Sequence, residues 1–381
     1  HKRPVHARAS GGTPVPGARG DAAIGDILHR SYPRLYLHLG SHKTGTTALQ
    51  AFSVANRNVL WRHGLYYPDF GPISPGPRDG HHALAHAFSS TPDRLSLEQA
   101  QALIARWKVY AGEENLTVVI SAEAIYRHVL GRGNFWEKRR QYLEGLKAAL
   151  AGFEVVPVVL FRRPDEYLRS LYQEAVANRS KPLQMPDFAD YVAKPPRGIE
   201  YKTNADVVTS VFGTLKVLLY EDLAASPGSL GEAFYAALGY PLTEHTPTPR
   251  VRDSLSPEET RVKNALNGQL TRRADSQALV KRLRTPAMQA ALRDAYPHPP
   301  YTLWPNQQCR KAFLASRAED LAHLQERYLP ERETLFTPPV ESPLDNPIPP
   351  PPSELLEKVA YSSQVGSGFR RILDVVRGRR D

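Results

Sequence analysis

The stretch Leu35-Tyr-Leu-His-Leu-Gly40-Ser-His-Lys43-Thr-Gly45-Thr-Thr47-Ala-Leu-Gln50 constrains this chain more than any other. An apolar run suited to a strand gives way to a loop of Gly, Ser and Thr, and a helical pattern resumes at Thr46. A helix that starts this way leaves its first backbone N–H groups unpaired, and they favour an oxyanion such as phosphate. Gly40 and Gly45 have the G-x-x-x-x-G spacing of a nucleoside-triphosphate loop, but Thr46 stands where that loop carries lysine. The loop's one lysine is Lys43, at the crest of the turn. From there it can neutralise a bridging or leaving oxygen on an anhydride shorter than a triphosphate.

The rest of the chain sets the frame. Its 381 residues, 41% hydrophobic, have room for one large α/β domain with appendages or for two modest domains. No apolar run approaches the ~20 residues of a membrane helix. The single cysteine, Cys309, excludes an internal disulfide and suits a reducing cytoplasm, which is the expected compartment. The chain opens on His1 without an initiator Met, which leaves a preceding segment or a removed anchor open. A net charge of +10 points to polyanionic partners without choosing among a phosphate-rich nucleotide, an acidic glycan and nucleic acid. Nucleic acid is not expected, because no aromatic RNA-binding signature or zinc-finger spacing accompanies the charge.

Between its ends the chain alternates short β-rich apolar runs with helical patterns. Strands are predicted at Arg34–Leu39, Gly64–Pro68, Thr117–Ala122, Val155–Phe161 and Leu215–Glu221. Helices are predicted from Thr46 to Asn58, through HHALAHAF, and over Leu95–Tyr110, Asn134–Ala151, Pro164–Asn178 and Glu200–Phe212. That alternation implies an α/β fold whose parallel sheet is covered on both faces, a three-layer P-loop-like arrangement with a helical C-terminal extension. Pro157 inside the fourth strand suits an edge or a bulge better than a central position. The expected organisation is a basic Pro/Gly-rich lead-in over 1–30, a catalytic core over 31–250 and a helical continuation over 251–336. A proline-rich linker with a C-terminal helix follows over 337–381.

A second segment carries chemistry. In VVLFRRPDEYLRSLY a strand ends in Arg162 and Arg163, and Pro164 takes the first helical position, where its missing N–H costs nothing. An arginine at the strand end and Ser170, two turns into the helix, can converge on one phosphate as a forked cation and a hydroxyl donor. With HKTGTTALQ upstream, the chain resembles the sulfotransferase superfamily that uses 3′-phosphoadenosine 5′-phosphosulfate (PAPS). That family's phosphosulfate loop commonly reads K-[ST]-G-T-T after a strand, and the version here is most similar to glycan sulfotransferases. The resemblance implies that Ser41, His42, Lys43, Thr44, Gly45, Thr46 and Thr47 hold the 5′ end. It likewise implies that Arg162 and Ser170 hold the 3′-phosphate, with Arg163 standing where Asn is more usual. Fainter echoes lie in ISAE (Ile120–Glu123), in VFG followed by LKVLLYEDL, and in VRDSLSPEETRVKNALN. The last has Asp253 before Ser254 where the family has Asn-x-Ser, and no role is assigned to it. The resemblance covers residues 34–268.

Sulfuryl transfer needs a base on the acceptor hydroxyl and stabilisation of the departing phosphate. The resemblance gives Lys43 the second role. Family members use His or Glu as base, and glycan-acting relatives place a Glu after the second strand. No Glu lies between Lys43 and Glu98, but that region offers His81, His82 and His86. A neutral imidazole accepts a proton near neutral pH. His82 is the expected base, Glu123 at the next strand end the competitor, and His81 is left open. His82 and His86 also have a metal-ligand spacing, but without a third ligand nearby no metal is expected.

The expectation is therefore a soluble, metal-independent sulfotransferase with PAPS as co-substrate and 3′,5′-ADP as product. Its acceptor would be a hydroxyl or amine, most readily on a carbohydrate, with an acidic one left open. The rivals are a nucleotide-dependent kinase on the same fold, disfavoured by Thr46, and a non-catalytic nucleotide- or nucleic-acid-binding module suggested only by charge.

Overall fold

The computed structural model describes residues 32–41, 44–71, 80–90, 92–178, 184–247, 254–270, 273–337 and 346–361. The lead-in over 1–30, His42 and Lys43, and the chain beyond 361 lie outside the described residues. Two compact units emerge. The first comprises His1–Gly40, Gly45–Leu160 and Val207–Arg250; the second comprises Ser41–Thr44, Phe161–Asp206 and Val251–Asp381.

The elements in chain order begin with β1 (Arg34–His38), α1 (Thr46–Ala55), α2 (Arg57–Arg62), β2 (Leu65–Tyr66), α3 (His82–Ala87) and α4 (Leu97–Glu113). Next come β3 (Thr117–Ser121), α5 (Phe135–Ala149), β4 (Glu154–Phe161), α6 (Pro164–Ala177), α7 (Phe188–Ala193), α8 (Tyr201–Phe212) and β5 (Lys216–Leu219). The remainder is helical, with α9 (Tyr220–Ala225), α10 (Leu230–Ala237), α11 (Pro257–Asn267) and α12 (Arg273–Leu283). It closes on α13 (Pro286–Ala295), α14 (Gln307–Ala315), α15 (Ala318–Tyr328) and α16 (Ser353–Tyr361). No described helix is long and apolar enough to cross a membrane.

The first unit is built on a five-stranded sheet of order β2-β3-β1-β4-β5. β1 pairs in parallel with β3 (Leu35 opposite Val118) and with β4 (Leu35 opposite Val155), and β2 pairs in parallel with β3. Side chains alternate across a strand. Leu35, Leu37, Val118 and Ile120 therefore pack with α3, α4 and α5 through Leu84, Trp107 and Leu146. Tyr36 and Val119 face the other way, onto α1 and α10 through Phe52, Phe234 and Tyr235. The expected parallel α/β sheet with helices on both faces is what the chain forms.

Two local expectations need correction. The helix predicted through Asn58 breaks at Asn56, whose amide donates to Phe52 O (2.9 Å) and Thr246 O (3.1 Å) and whose Oδ1 accepts from Thr246 N (2.6 Å). A partner 190 residues away decides the break. Pro157 is not at an edge: β4 lies between β1 and β5. Glu154 N donates to Pro33 O and Val158 O accepts from Leu39 N, so the even-numbered residues face β1. The missing donor of Pro157 points instead toward β5, a strand of only four residues, and the β1 ladder loses nothing.

In the second unit α11 packs on α6 through buried polar side chains. The Ser256–Glu259 capping box starts α11. Asn267 Nδ2 then donates to Val176 O (2.9 Å), and Ser276 Oγ donates to Asn178 O (2.9 Å), so both cover the carbonyl end of α6. Fully buried Lys263 donates to Ser276 Oγ (3.1 Å) and to Asn267 Oδ1. Its ammonium sits against that negative helix end, yet burial pulls its pKa down to about 8. Further along, Ile348 N donates to Thr302 O and Thr302 N to Asn346 O (both 2.9 Å), so the described end of the proline-rich segment is paired to the unit.

Lys263 makes stability pH-dependent. Below about pH 8 it is protonated in both states and the folded state bears the burial cost. Between its folded and unfolded pKa values the unfolded chain binds more protons, so stability rises with pH. Urea titrations should show the wild type gaining on the order of 2 kcal/mol relative to Lys263→Met from about pH 7 to pH 9.5. A constant difference across that range would mean that Lys263 is not buried as a cation.

Candidate functional site

The loop after β1 is shaped by close packing. Gly40 has φ +66°, and an added Cβ would stand 2.7 Å from Glu123 Cβ and 3.0 Å from Glu123 Cα. The chain turns left-handed there because the strand end bearing Glu123 leaves no room for a side chain. Gly45, φ +74°, caps α1, and a Cβ there would run into the Leu230 side chain at the start of α10. No side chain caps α1, and no carboxylate lies in its first turn. Its first N–H groups and the positive end of its dipole are left for another acceptor. Thr46 is 2% exposed, and its Oγ1 is buried without a hydrogen-bond partner among the described residues. An orphaned hydroxyl at an uncapped helix start is suited to an oxyanion. Thr47 is exposed. Ser41 and Thr44, both buried, flank the loop's crest, and Thr44 Oγ1 donates to Ser41 O (2.6 Å).

A polar network fills the ends of β1 and β3. His38, fully buried, has Nδ1 2.9 Å from Ser121 Oγ and Nε2 without a hydrogen-bond partner among the described residues. Burial, with a smaller push from His82, drives it down to about 3, so it is a neutral imidazole. His81 is held on both nitrogens. Ser121 N–H donates to Nδ1 (3.1 Å), which fixes the proton on Nε2, and Nε2–H donates to Pro68 O (2.9 Å). Burial takes it to about 4. With both nitrogens committed, His81 ties the start of α3 to β3 and has no lone pair for an acceptor. His82, the next residue, is half-buried. Its pKa is lowered by burial, then by His86 and Arg127. Glu123 opens the 3₁₀ turn Glu123–Tyr126 directly after β3 and is also half-buried. The first unit therefore places Glu123 against the loop's first glycine and His82 at the start of α3.

In the second unit the arginine and serine singled out in the sequence meet. Arg162 Nη1 donates to Ser170 Oγ at 3.0 Å. Pro164 starts α6, and Tyr201 OH donates to Arg162 O (2.8 Å), fixing the backbone from which the guanidinium projects. Around them stands an ion-pair lattice. Asp165, fully buried, is bound by Arg163 (2.7 Å) and by Arg310 of α14 (2.6 Å). Burial pushes the Asp165 carboxyl up, but the two guanidiniums outweigh it and hold it below the usual carboxylate range. Glu166 takes Arg169 (2.5 Å), Arg310 (3.3 Å), Arg162 (3.4 Å) and Arg163 (3.8 Å). More guanidiniums than carboxylates surround the start of α6, which favours an added anion.

No family model matches the chain, and no curated protein matches it. Among solved structures it is similar to the sulfotransferase from Alicyclobacillus acidocaldarius, at 17% identity and a TM-score of 0.34, over 62% of this chain and 93% of that one.

His42 and Lys43, assigned to the loop from sequence, lie outside the described residues. Arg310, the buried imidazole of His38 and the brace made by Asp165 and Glu166 escaped the sequence reading. Arg310 lies 145 residues from Asp165, with nothing local to mark it. The acidic pair after Arg163 was the available signal, since two carboxylates beside two arginines at a helix start suit an ion lattice as well as a helix dipole.

The orphaned Thr46 hydroxyl gives a direct test. Thr46→Val keeps the shape and removes a group with no protein partner among the described residues, so thermal stability without ligand should hold or rise slightly. Affinity for 3′,5′-ADP, read by calorimetry, should fall roughly 5–30-fold. Lost stability with unchanged affinity would make the hydroxyl a structural one.

Proposed function

We propose that this protein is a sulfotransferase that takes a sulfuryl group from 3′-phosphoadenosine 5′-phosphosulfate and passes it to a hydroxyl or amine, most readily on a carbohydrate. The observation that carries the reading is the 3.0 Å contact between Arg162 and Ser170. A forked cation and a hydroxyl at the start of one helix suit a terminal phosphate monoester, which a triphosphate-splitting kinase does not need. The uncapped start of α1, with its orphaned Thr46 hydroxyl, supplies a second oxyanion site of the kind the donor's 5′ end requires.

When bound, the donor supplies a sulfuryl group on a phosphate leaving group. In this proposal the N–H groups at the start of α1 and the Thr46 hydroxyl orient the leaving end, and Lys43 neutralises the charge that develops there. Arg162 and Ser170 hold the 3′-phosphate, with Asp165 and Glu166 keeping the guanidiniums in place. His82 takes the proton from the acceptor as its oxygen or nitrogen bonds to sulfur, and Glu123 is the alternative base. Neither Asp165 nor Glu166 is offered as a base, since both are committed to arginines.

Thermal shift tests the donor assignment. At equal concentration 3′,5′-ADP should raise the melting temperature well above 5′-AMP and ATP, since stabilisation grows as RT ln(1 + [L]/Kd). Arg162→Ala should remove most of that preference, roughly 2–4 kcal/mol. Equal responses to 3′,5′-ADP and 5′-AMP would overturn the 3′-phosphate site, and a response confined to ATP with magnesium would favour the kinase.

The base is tested by the pH dependence of sulfuryl transfer. Burial, His86 and Arg127 disfavour the imidazolium of His82. The acid limb of kcat/KM should therefore lie below the ~6.5 of an ordinary imidazole, and His82→Ala should abolish it. If His82→Ala keeps rate and limb while Glu123→Gln is inactive yet binds 3′,5′-ADP, the proton goes to Glu123.

A further inference from the structure

Helix α5 buries a cation with no carboxylate beside it among the described residues. Arg139 is 0% exposed. Its Nη1 donates to Ile125 O (2.8 Å) and His128 O (3.2 Å), while Nε and Nη2 have no hydrogen-bond partner among the described residues. The guanidinium lies 5.7 Å from the centre of the Tyr126 ring. The ionisable groups acting on it are Tyr126 and Tyr142, with no carboxylate among them. Buried arginines ordinarily have an acid beside them, because an uncompensated interior charge is costly. Packing alone gives no reason to keep this one, since an apolar side chain of similar volume would cost less.

What Arg139 touches supplies the reason. Ile125 and His128 belong to the turn that begins at Glu123. Three residues along α5, fully buried Tyr142 donates its hydroxyl to Ala85 O (2.9 Å), in the middle of the helix that His82 begins. The Tyr142 ring lies 5.5 Å from His128, and His86 meets His128 edge-on at 4.6 Å. One face of α5 thus braces both elements that carry a candidate base. Five groups face the His128 imidazole: His82 and His86 from α3, Arg127 from its own turn, and Arg139 and Tyr142 from α5. Two are imidazoles, two are guanidinium cations and one is a phenol, so the field there opposes a proton.

We propose that Arg139 is a positioning residue for the acceptor side of the site: it locks the 123–128 turn through two carbonyls and sets a buried positive charge behind His128, whose ring stands against His86 on the helix that His82 begins. The functional part rests on the sulfotransferase reading. The locking and the field do not.

The test uses the full chain labelled with ¹⁵N-histidine. Burial, then His86, Arg127, Arg139 and His82 hold His128 down to about 4. Arg139→Met keeps the volume and drops the charge, and should raise the His128 titration midpoint by roughly a few tenths of a pH unit, as the fourth-largest of five causes. Arg139→Lys keeps the charge and loses the fork, and should leave the midpoint near the wild-type value. In both variants the amides of residues 125–128 should exchange faster. Should Arg139→Met fail to fold, Arg139→Gln also drops the charge, keeps one donor, and must raise the midpoint in the same way. A folded charge-free variant with an unmoved midpoint overturns the proposal, as does a Lys variant that titrates like the Met variant. In a sulfuryl-transfer assay Arg139→Met should lower kcat while leaving 3′,5′-ADP affinity unchanged. A wild type with no such activity would sink the functional reading, and the imidazole titration would still judge Arg139.

Discussion

The parallel pairing of β1 between β3 and β4 is the constraint on which the rest of the first unit depends. β1 is covered on both faces, so its side chains are chosen by burial and its backbone groups by two ladders at once. The ladders end together, where Ala122 N donates to His38 O (3.0 Å) and Leu39 N to Val158 O (2.9 Å). The next residue has no pairing left and no space beside it, because Glu123 already fills the ground where a Cβ would stand. A left-handed glycine is the solution available, and it throws the chain into the loop before α1. The loop's shape is thus set by where the sheet stops. Strand order adds that the chain turns to opposite sides of β1 in building β3 and β4, the arrangement in which open α/β sheets leave a crevice at the carboxyl ends of their strands.

Those same strand ends hold polar side chains that a purely structural sheet would not need. Ser121 serves three neighbours: its Oγ meets His38 Nδ1 and Gln50 Nε2, its N–H meets His81 Nδ1, and its carbonyl accepts from His81 N. Within this cluster His81 is saturated, whereas His38 Nε2 and Thr46 Oγ1 stay buried without partners among the described residues. Saturated groups fix geometry. Orphaned buried groups mark places where the fold bears a cost that packing does not require. That contrast separates His81 from His38 in a way their positions in sequence could not.

How much of this was legible follows from how local each cause is. The five strands were readable because a strand buried on both faces is a short apolar run, and VVISA or VVPVVLF can hardly be anything else. The turn at Gly45 and the Arg162–Ser170 meeting were readable because both lie within one strand-to-helix unit, where spacing fixes geometry. The break at Asn56 was not, because Thr246 makes it. Pro157 misled because a proline's place in a sheet depends on which neighbour its missing donor faces, and residue parity against β1 exists only once the register is known. Arg139 and Arg310 have nothing in their local sequence to set them apart. Only tertiary packing shows one sealed behind a turn and the other locked on a buried aspartate.

The two units handle positive charge in opposite ways, and the difference bears on what each can recognise. At the start of α6, Arg162, Arg163, Arg169 and Arg310 gather around Asp165 and Glu166. Asp165 is buried and held on two sides, so it acts as a fixed strut. Glu166 is partly exposed and spread over all four guanidiniums at distances from 2.5 to 3.8 Å, so no single contact dominates. An arriving anion must compete with Glu166 for Arg162, and it does so better the more charge it brings and the better it matches the arginine fork. A phosphate monoester dianion meets both conditions; a carboxylate or a phosphodiester meets one at most. Glu166 therefore acts as a brace that keeps mutually repelling guanidiniums together. Behind the turn at Glu123 no acid among the described residues shares the charge of Arg139, and the cation is fully buried. A cation so placed binds nothing itself. What it does is disfavour a proton on the His128 imidazole, in the turn that begins at Glu123.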